Sequence, residues 1–418
     1  MPGAVDAIDL SDIEFWSEPY AVREAAFAAL RAERPISFYK EPELEGIEVG
    51  PGYWALTRHA DVVEASKHPQ LFCSGRGTNI FDMPEPFLDF FGSMINMDDP
   101  RHARLRRIVS RGFTPKYLND LSGYVQEVAT EIVDGVIDKG ECDFVTDVAA
   151  LLPLRIILDL MGIPRSEEKY VFDRTNIILS SGDPEYVSEN PNEVVMQLLN
   201  AGQELAALVT ELAEARLKDP KDDLTTALIT ADVDGEQLTT AELASFFILL
   251  VAAGNETTRN AISHGLLVLT EHPAERDKWM ADFEGLAPTA IEEIVRWATP
   301  VIHFRRTVTE DGTRIGDHEF DAGDKVVLFY NSANRDEAAF ADPFRFDVTR
   351  TPNDHVGFGG PGPHFCLGAH LARREITVMF RELFKRLPDI HSVGPPAQLR
   401  SNFINGIKHL RAEFTPGG

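Results

Sequence analysis

The chain has little sulfur, a deficit of positive charge and no long apolar run. Only three of its 418 residues are cysteines, Cys73, Cys142 and Cys366. Their count is odd, their spacing irregular, and no C-x-x-C pair occurs, which argues against a disulfide framework and suits a reducing cytoplasm. Acidic residues number 67 against 40 Lys and Arg, for a formal net charge of -27. That balance argues against nucleic-acid binding, because phosphate contacts need a basic face. The longest strongly apolar run, Phe246 to Ala253, falls far short of the roughly 20 residues that a transmembrane helix needs. The N-terminal MPGAVDAIDLSDIEFW has neither the basic start nor the apolar centre of a secretion signal. No repeat, low-complexity tract or Gly/Ser linker divides the chain, so residues 1–418 are read as one large domain with ample core.

What is present is mostly helical periodicity. Tyr53 to Thr57 alternates briefly, as a strand does, and His59 to His68 follows as a short helix. Residues 69–100 are rich in Pro, Gly, Asp and Asn and read as a long loop. Arg101 to Arg111 reads as a helix carrying five arginines. Thr239 with Glu242 forms a capping box opening a long helix to about His272, where Pro273 stops it. At about 1.5 Å per residue this helix spans roughly 50 Å, and its apolar centre predicts burial. Residues 289–298 form another helix, residues 318–330 a hairpin turning near Ala322-Gly323, and Leu367 to about Leu387 an amphipathic helix.

The stretch VGFGGPGPHFCLGAHLARREI sets five glycines and two prolines around Cys366, just before that last helix. Glycine lets backbone approach closely, a helix N-terminus favours an anionic sulfur, and loop amides can donate hydrogen bonds to it. Taken alone, the stretch suits a structural cysteine in a tight loop, a zinc site with His355, His364 and His370, or a thiolate bound to another metal.

This loop resembles the cysteine-ligand loop of the cytochromes P450. Gly362, His364, Cys366 and Gly368 stand as G-x-H-x-C-x-G, and Leu371-Ala372-Arg373 follow in the same manner. The family's usual phenylalanine lies seven residues before the cysteine; here Gly359 holds that place and Phe358 lies eight before. Three further motifs occur in family order. Ala253-Gly254-Asn255-Glu256-Thr257-Thr258 interrupts the long apolar helix and is similar to the family's acid–alcohol pair, Glu256 and Thr257. Glu293 and Arg296 lie at i, i+3 and look like its buried Glu/Arg pair, with Arg345 or Arg350 as third partner. His102 and Arg106, four apart on one helix face, together with Arg306 and His364, correspond to its haem-propionate ligands.

The resemblance implies a mainly α fold, a triangular helical prism with small β-sheets. It implies haem b (iron protoporphyrin IX) ligated by Cys366, whose thiolate pushes electron density toward iron-bound oxygen. It also implies proton delivery through Glu256 and Thr257, and electrons from NAD(P)H through a ferredoxin and its reductase. Thr257 can bond back to a carbonyl one turn earlier and open the helix there. Arg104, Arg107 and Arg373 are candidate docking positions for an acidic electron carrier.

Within the family, AGNETTRNAI, EEIVRWATPVI and FINGIKHL look like mycobacterial lipid and sterol hydroxylases, above all those that oxidise methyl-branched lipids at the terminal (omega) methyl. The implied substrate is a hydrophobic lipid: a methyl-branched fatty acid, an isoprenoid or a sterol side chain. Ile95, Leu249, Ala253, Ile302 and Phe403 are the apolar candidates to line its channel. The competing readings are a peroxide-driven haem-thiolate peroxygenase, a non-catalytic haem or lipid sensor, and a zinc-stabilised helical protein.

Overall fold

The computed structural model describes residues 4–41, 49–110, 122–180, 182–188, 190–231 and 237–417. A 32-residue helix, Thr240–Glu271, organises them. Thr239 accepts from the Glu242 N–H, and the Glu242 carboxylate accepts in return from the Thr239 N–H, so the capping box is reciprocal. At the other end Pro273 starts a new helix, Pro273–Ala281. Twenty residues of the long helix are buried, because helices pack against it on several sides. They are Glu85–Gly92, Leu151–Met161, Pro191–Lys218, Phe283–Ala298 and Ala369–Arg386.

Two glycines allow that density. A Cβ on Gly254 would sit 2.8 Å from Ile157 Cδ1, and one on Gly265 would sit 2.6 Å from the Phe380 ring. The second contact lets the helix Ala369–Arg386, which follows the Cys366 loop, lie close to the central one. Apolar residues fill the space on both sides. Ile262, Leu266, Ile294, Phe380 and Leu383 belong to one core, and Leu154, Val209, Phe247 and Val251 to another.

The strands form small sheets with five, three, two and two members among the described residues. The largest runs in the order Ile36–Tyr39, Tyr53–Leu56, Lys325–Phe329, His303–Val308, Phe72–Cys73. This sheet carries Arg306.

Several expectations need correction. Residues 318–330 do not make a hairpin. His318–Phe320 pairs back with Thr313–Ile315, whereas Lys325–Phe329 pairs with His303–Val308 and Tyr53–Leu56. All five residues of Lys325–Phe329 are buried, and a central strand needs a neighbour on each edge. Residues 69–100 are not one loop. They hold the strand Phe72–Cys73 and the helix Glu85–Gly92, whose phenylalanine-rich sequence packs on the central helix. The helix expected at 289–298 begins at Phe283, because Asp282 caps it and Pro288 is accommodated inside. The helix after the Cys366 loop begins at Ala369. The arginine helix runs Arg101–Val109, and Arg111 lies outside the described residues. Among the described residues no helix is long and apolar enough to cross a membrane.

Gly265→Val should force the Phe380 ring aside and destabilise the protein by about 1–3 kcal/mol, as overpacking does. Chemical denaturation checks this, and a variant as stable as the parent would show that Phe380 can move without cost.

Candidate active site

The Cys366 loop folds back on itself. The Cys366 N–H donates to the Phe358 carbonyl (2.9 Å), Gly359 to Val356 (2.8 Å) and Phe365 to Gly362 (3.1 Å). Gly362 adopts φ +143°, and a Cβ there would lie 2.3 Å from the Ser66 carbonyl oxygen, so only glycine fits. The Phe358 ring packs 6.2 Å from Phe365 and lies beneath the Arg373 guanidinium at 4.4 Å. Although displaced by one residue from the family's usual place, Phe358 therefore still lies against this loop. Cys366 keeps accessible surface, yet enough protein surrounds it for burial to push its thiol up. The Gly368 N–H and the charges of Arg106 and Arg373 pull the other way. These three groups favour a thiolate once a cation sits on the sulfur.

Four nitrogen-bearing side chains converge beside this loop. The His102 and His364 rings lie 4.3 Å apart. Arg106 donates to the Phe365 carbonyl (2.6 Å), and Arg306 to the Arg305 carbonyl (2.8 Å). Burial depresses the His364 imidazole to about 2, with Arg306, His102 and Arg106 adding repulsion. His102 is likewise lowered, by burial first and Arg106 second. Its Nε2 is buried with no hydrogen-bond partner. An unpartnered buried imidazole nitrogen beside two guanidiniums is an arrangement that a buried dianion would satisfy, so these residues fit the two propionates of a haem. A cavity of about 470 Å³ opens against the same edge, lined by Asp99, His102, Arg106, Arg107 and Gly362 among others.

On the central helix the Thr257 hydroxyl donates to the Ala253 carbonyl at 2.7 Å, the back-bond expected from the sequence. Ala253 is exposed although it lies mid-helix. Glu256 is fully buried. One of its oxygens accepts from Arg259 and from Asn260 Nδ2 (2.9 Å); the other has no partner. Arg259 in turn donates to Asn176 Oδ1 (3.0 Å). Sequence reading missed this Arg259–Asn260–Asn176 support. The i+3 and i+4 spacings from Glu256 were its only local signal.

The channel candidates fall into two groups. Ile95, Leu249 and Ala253 lie on or against the central helix, since the turn Ser93–Asn96 packs on it. Ile302 and Phe403 form a second pair, joined by the Ile302 N–H to the Phe403 carbonyl (2.8 Å). Phe403 packs on Phe304 at 5.5 Å. Ile302 is 1% exposed, inside a core cluster with Trp16 and Phe329.

Beneath the loop, Glu293 accepts two hydrogen bonds from Arg296 (2.7 and 2.8 Å) and two from Arg350 (3.0 and 3.1 Å). Arg350 is thus the third partner; Arg345 contributes its carbonyl to Arg296 and Arg350. The neighbouring Glu292, which sequence reading passed over, binds Arg373 (2.9 Å) and His355 (3.0 Å). Burial opposes its charge, but these two partners outweigh burial and hold the carboxyl down at about 2. Arg373 is therefore engaged with Glu292, and Arg104 with Glu242 (2.7 Å); of the three candidate docking arginines, Arg104 and Arg373 are half-buried and Arg107 is exposed. The zinc alternative fails: His355 is committed to Glu292, and among the described residues no group of three His, Cys, Asp or Glu could hold a metal ion.

Arg350→Ala should destabilise the protein by about 3 kcal/mol or more by leaving Glu293 underpaired, whereas Arg345→Ala should change stability by under about 0.5 kcal/mol. Urea unfolding of both variants tests this; equal losses would remove the distinction.

The cytochrome P450 family model matches residues 172–284 and 285–399. The chain is 50% identical over 410 residues to the methyl-branched lipid omega-hydroxylase of Mycobacterium tuberculosis, covering 96% of this chain and 94% of that protein. It is 40% identical to the steroid C26-monooxygenase of Rhodococcus jostii, covering 99% and 86%. Among solved structures, a Mycobacterium marinum cytochrome P450 in complex with pseudoionone superposes with a TM-score of 0.92 at 42% identity, covering 98% of this chain and 99% of that one. The helical architecture and the glycine-bound cysteine loop thus have one common explanation: this chain belongs to the cytochrome P450 family.

Proposed function

We propose that the protein is a haem monooxygenase that hydroxylates the terminal methyl of a long, branched, apolar lipid, a methyl-branched fatty acid, an isoprenoid or a sterol side chain. The observation that supports the proposal is the convergence of His102, Arg106, Arg306 and His364 beside the Cys366 loop; the Thr257 back-bond to Ala253 on the central helix agrees with it. The choice of substrate rests on the relatives, one named for omega-hydroxylation of methyl-branched lipids and one for oxidation at C26 of steroids. In this reading Cys366 ligates the iron and the quartet receives the propionates.

When bound, haem supplies dioxygen activation: one oxygen atom enters the C–H bond and the other leaves as water, using two electrons and two protons. The electrons come from NAD(P)H through a ferredoxin and its reductase, received on the face that carries Arg107. The chain's own residues do the rest. The Gly368 N–H steadies the sulfur charge. Thr257, held by Ala253, keeps a hydroxyl at a fixed place on the central helix. The unpartnered Glu256 oxygen provides an acid or base inside the protein for passing protons toward it. A terminal C–H is less reactive than its neighbours, so selectivity must come from position. In this reading the small, exposed Ala253 leaves room on the central helix, and Phe403, packed on Phe304, is the aromatic candidate for narrowing the channel. The three cysteines are unpaired, which suits work in a reducing cytoplasm.

Thr257→Ala, assayed with a reconstituted ferredoxin and reductase on a methyl-branched long-chain fatty acid, should keep substrate-induced spectral binding. It should also raise NAD(P)H consumed per product by about tenfold or more, given that a positioned proton-transfer group contributes roughly 10²–10⁴-fold to rate. Unchanged coupling would remove Thr257 from proton delivery, and hydroxylation away from the chain terminus would overturn the regiochemistry.

A further inference from the structure

Away from the haem site, charged groups from three distant segments meet at one imidazole. His409 ends the strand Ile407–His409. Its Nδ1 hydrogen-bonds the carboxylate of Asp143, and its Nε2 lies 2.9 Å from Glu185 Oε1. Next to it Lys408 binds Asp183 (3.1 Å) and Glu185 (2.8 Å). Asp183 is 1% exposed, and also accepts from the Arg400 and Glu185 N–H groups (3.0 Å each). Asp143 in turn accepts from the Leu410 N–H, and its own N–H donates to Asp147. The titratable and charged groups facing the imidazole are thus Asp143, backed by Asp147, from one side, and Glu185 with Asp183 and Lys408 from the other.

The segments so joined matter to the site. Residues 182–188 connect the helices Glu168–Leu179 and Pro191–Lys218, both packed on the central helix. Within them, Tyr186 feels the charges of Arg259 and Glu256. The chain from Ala397 to His409 is a β-hairpin with Phe403 between its strands, packed against Phe304. The ion pairs therefore tie the connector between two helices packed on the central helix to the hairpin that carries Phe403.

We propose that His409, as its imidazolium, is the pH-sensitive fastener of this clamp, and that the clamp sets how readily a long apolar substrate is admitted. The proposal rests on the reading of the site given above. Only the cation can donate to both carboxylates at once; the neutral ring has one N–H and turns a lone pair on the other acid. The Asp143 hydrogen bond, followed by that of Glu185, raises the His409 imidazole above its ordinary range against the effect of burial. A raised folded value means that the fastening is complete at acid pH and is lost as pH climbs through it. Lys408 still holds Asp183, so the clamp loosens rather than dissolves.

Two readouts on the holoprotein test this. Hydrogen exchange of the segment 182–188, corrected for intrinsic rates, should quicken about fivefold from about pH 6 to about pH 9. His409→Gln and Glu185→Gln should exchange at the alkaline rate throughout. In parallel, the spectral shift on mixing with dodecylimidazole should develop faster at alkaline pH in the parent and at all pH in both variants, while imidazole itself enters at one rate in each. The exchange measurement needs no haem ligation, so it fails only if the clamp reading fails. Exchange indifferent to pH in the parent, or a His409→Gln profile that follows the parent's, would overturn the proposal.

Discussion

The proposed role of Cys366 requires a backbone that brings amide donors close to the sulfur, excludes side chains from its face, and cannot shift. The packing of its loop meets that constraint. The Cys366 N–H is tied to the Phe358 carbonyl, and Gly362 is pressed so closely on Ser66 that no side chain fits. The helix Ala369–Arg386 begins where the loop ends and is seated on the central helix through Gly265. The loop's position is thereby referred to the same helix that carries Glu256 and Thr257, which fixes both faces of the site against one rigid element.

The charged networks beneath the loop act in the same sense. Glu293 is fully buried, with its bonds spread over Arg296, Arg350, Asn353 and the Asp347 N–H. A buried ion pair brings little net stability over an apolar one, but breaking it is costly, so it holds one arrangement in place. Glu292, with Arg373 and His355, repeats the device one residue away and links the helix Phe283–Ala298 to the Cys366 loop.

The legible parts of this structure were those whose cause is local. The capping box at Thr239 and Glu242, the Thr257 back-bond and the close backbone approach that glycine allows at Gly362 are each written within a few residues, and each was read correctly. Strand pairing was not legible. Nothing local in Lys325–Phe329 says that its partners are His303–Val308 and Tyr53–Leu56 rather than the segment just before it. The choice between Arg345 and Arg350 was open for the same reason: either could reach Glu293 in sequence, and only the path of the 341–350 chain decides. Glu85–Gly92 was hidden because its flanking prolines and aspartates look like loop while its phenylalanines find the central helix only in the folded chain. The Asp183–Lys408–His409 clamp lies wholly beyond sequence reading, since Lys408 and His409 reach partners, Asp143, Asp183 and Glu185, that lie more than two hundred residues earlier.

The most direct test is the carbon monoxide difference spectrum of the reduced, purified protein. Thiolate ligation by Cys366 predicts the red-shifted Soret band of a haem thiolate, lost in Cys366→Ser while the helical circular dichroism is kept. A colourless protein, or a serine variant with an unaltered spectrum, would contradict the account at its root.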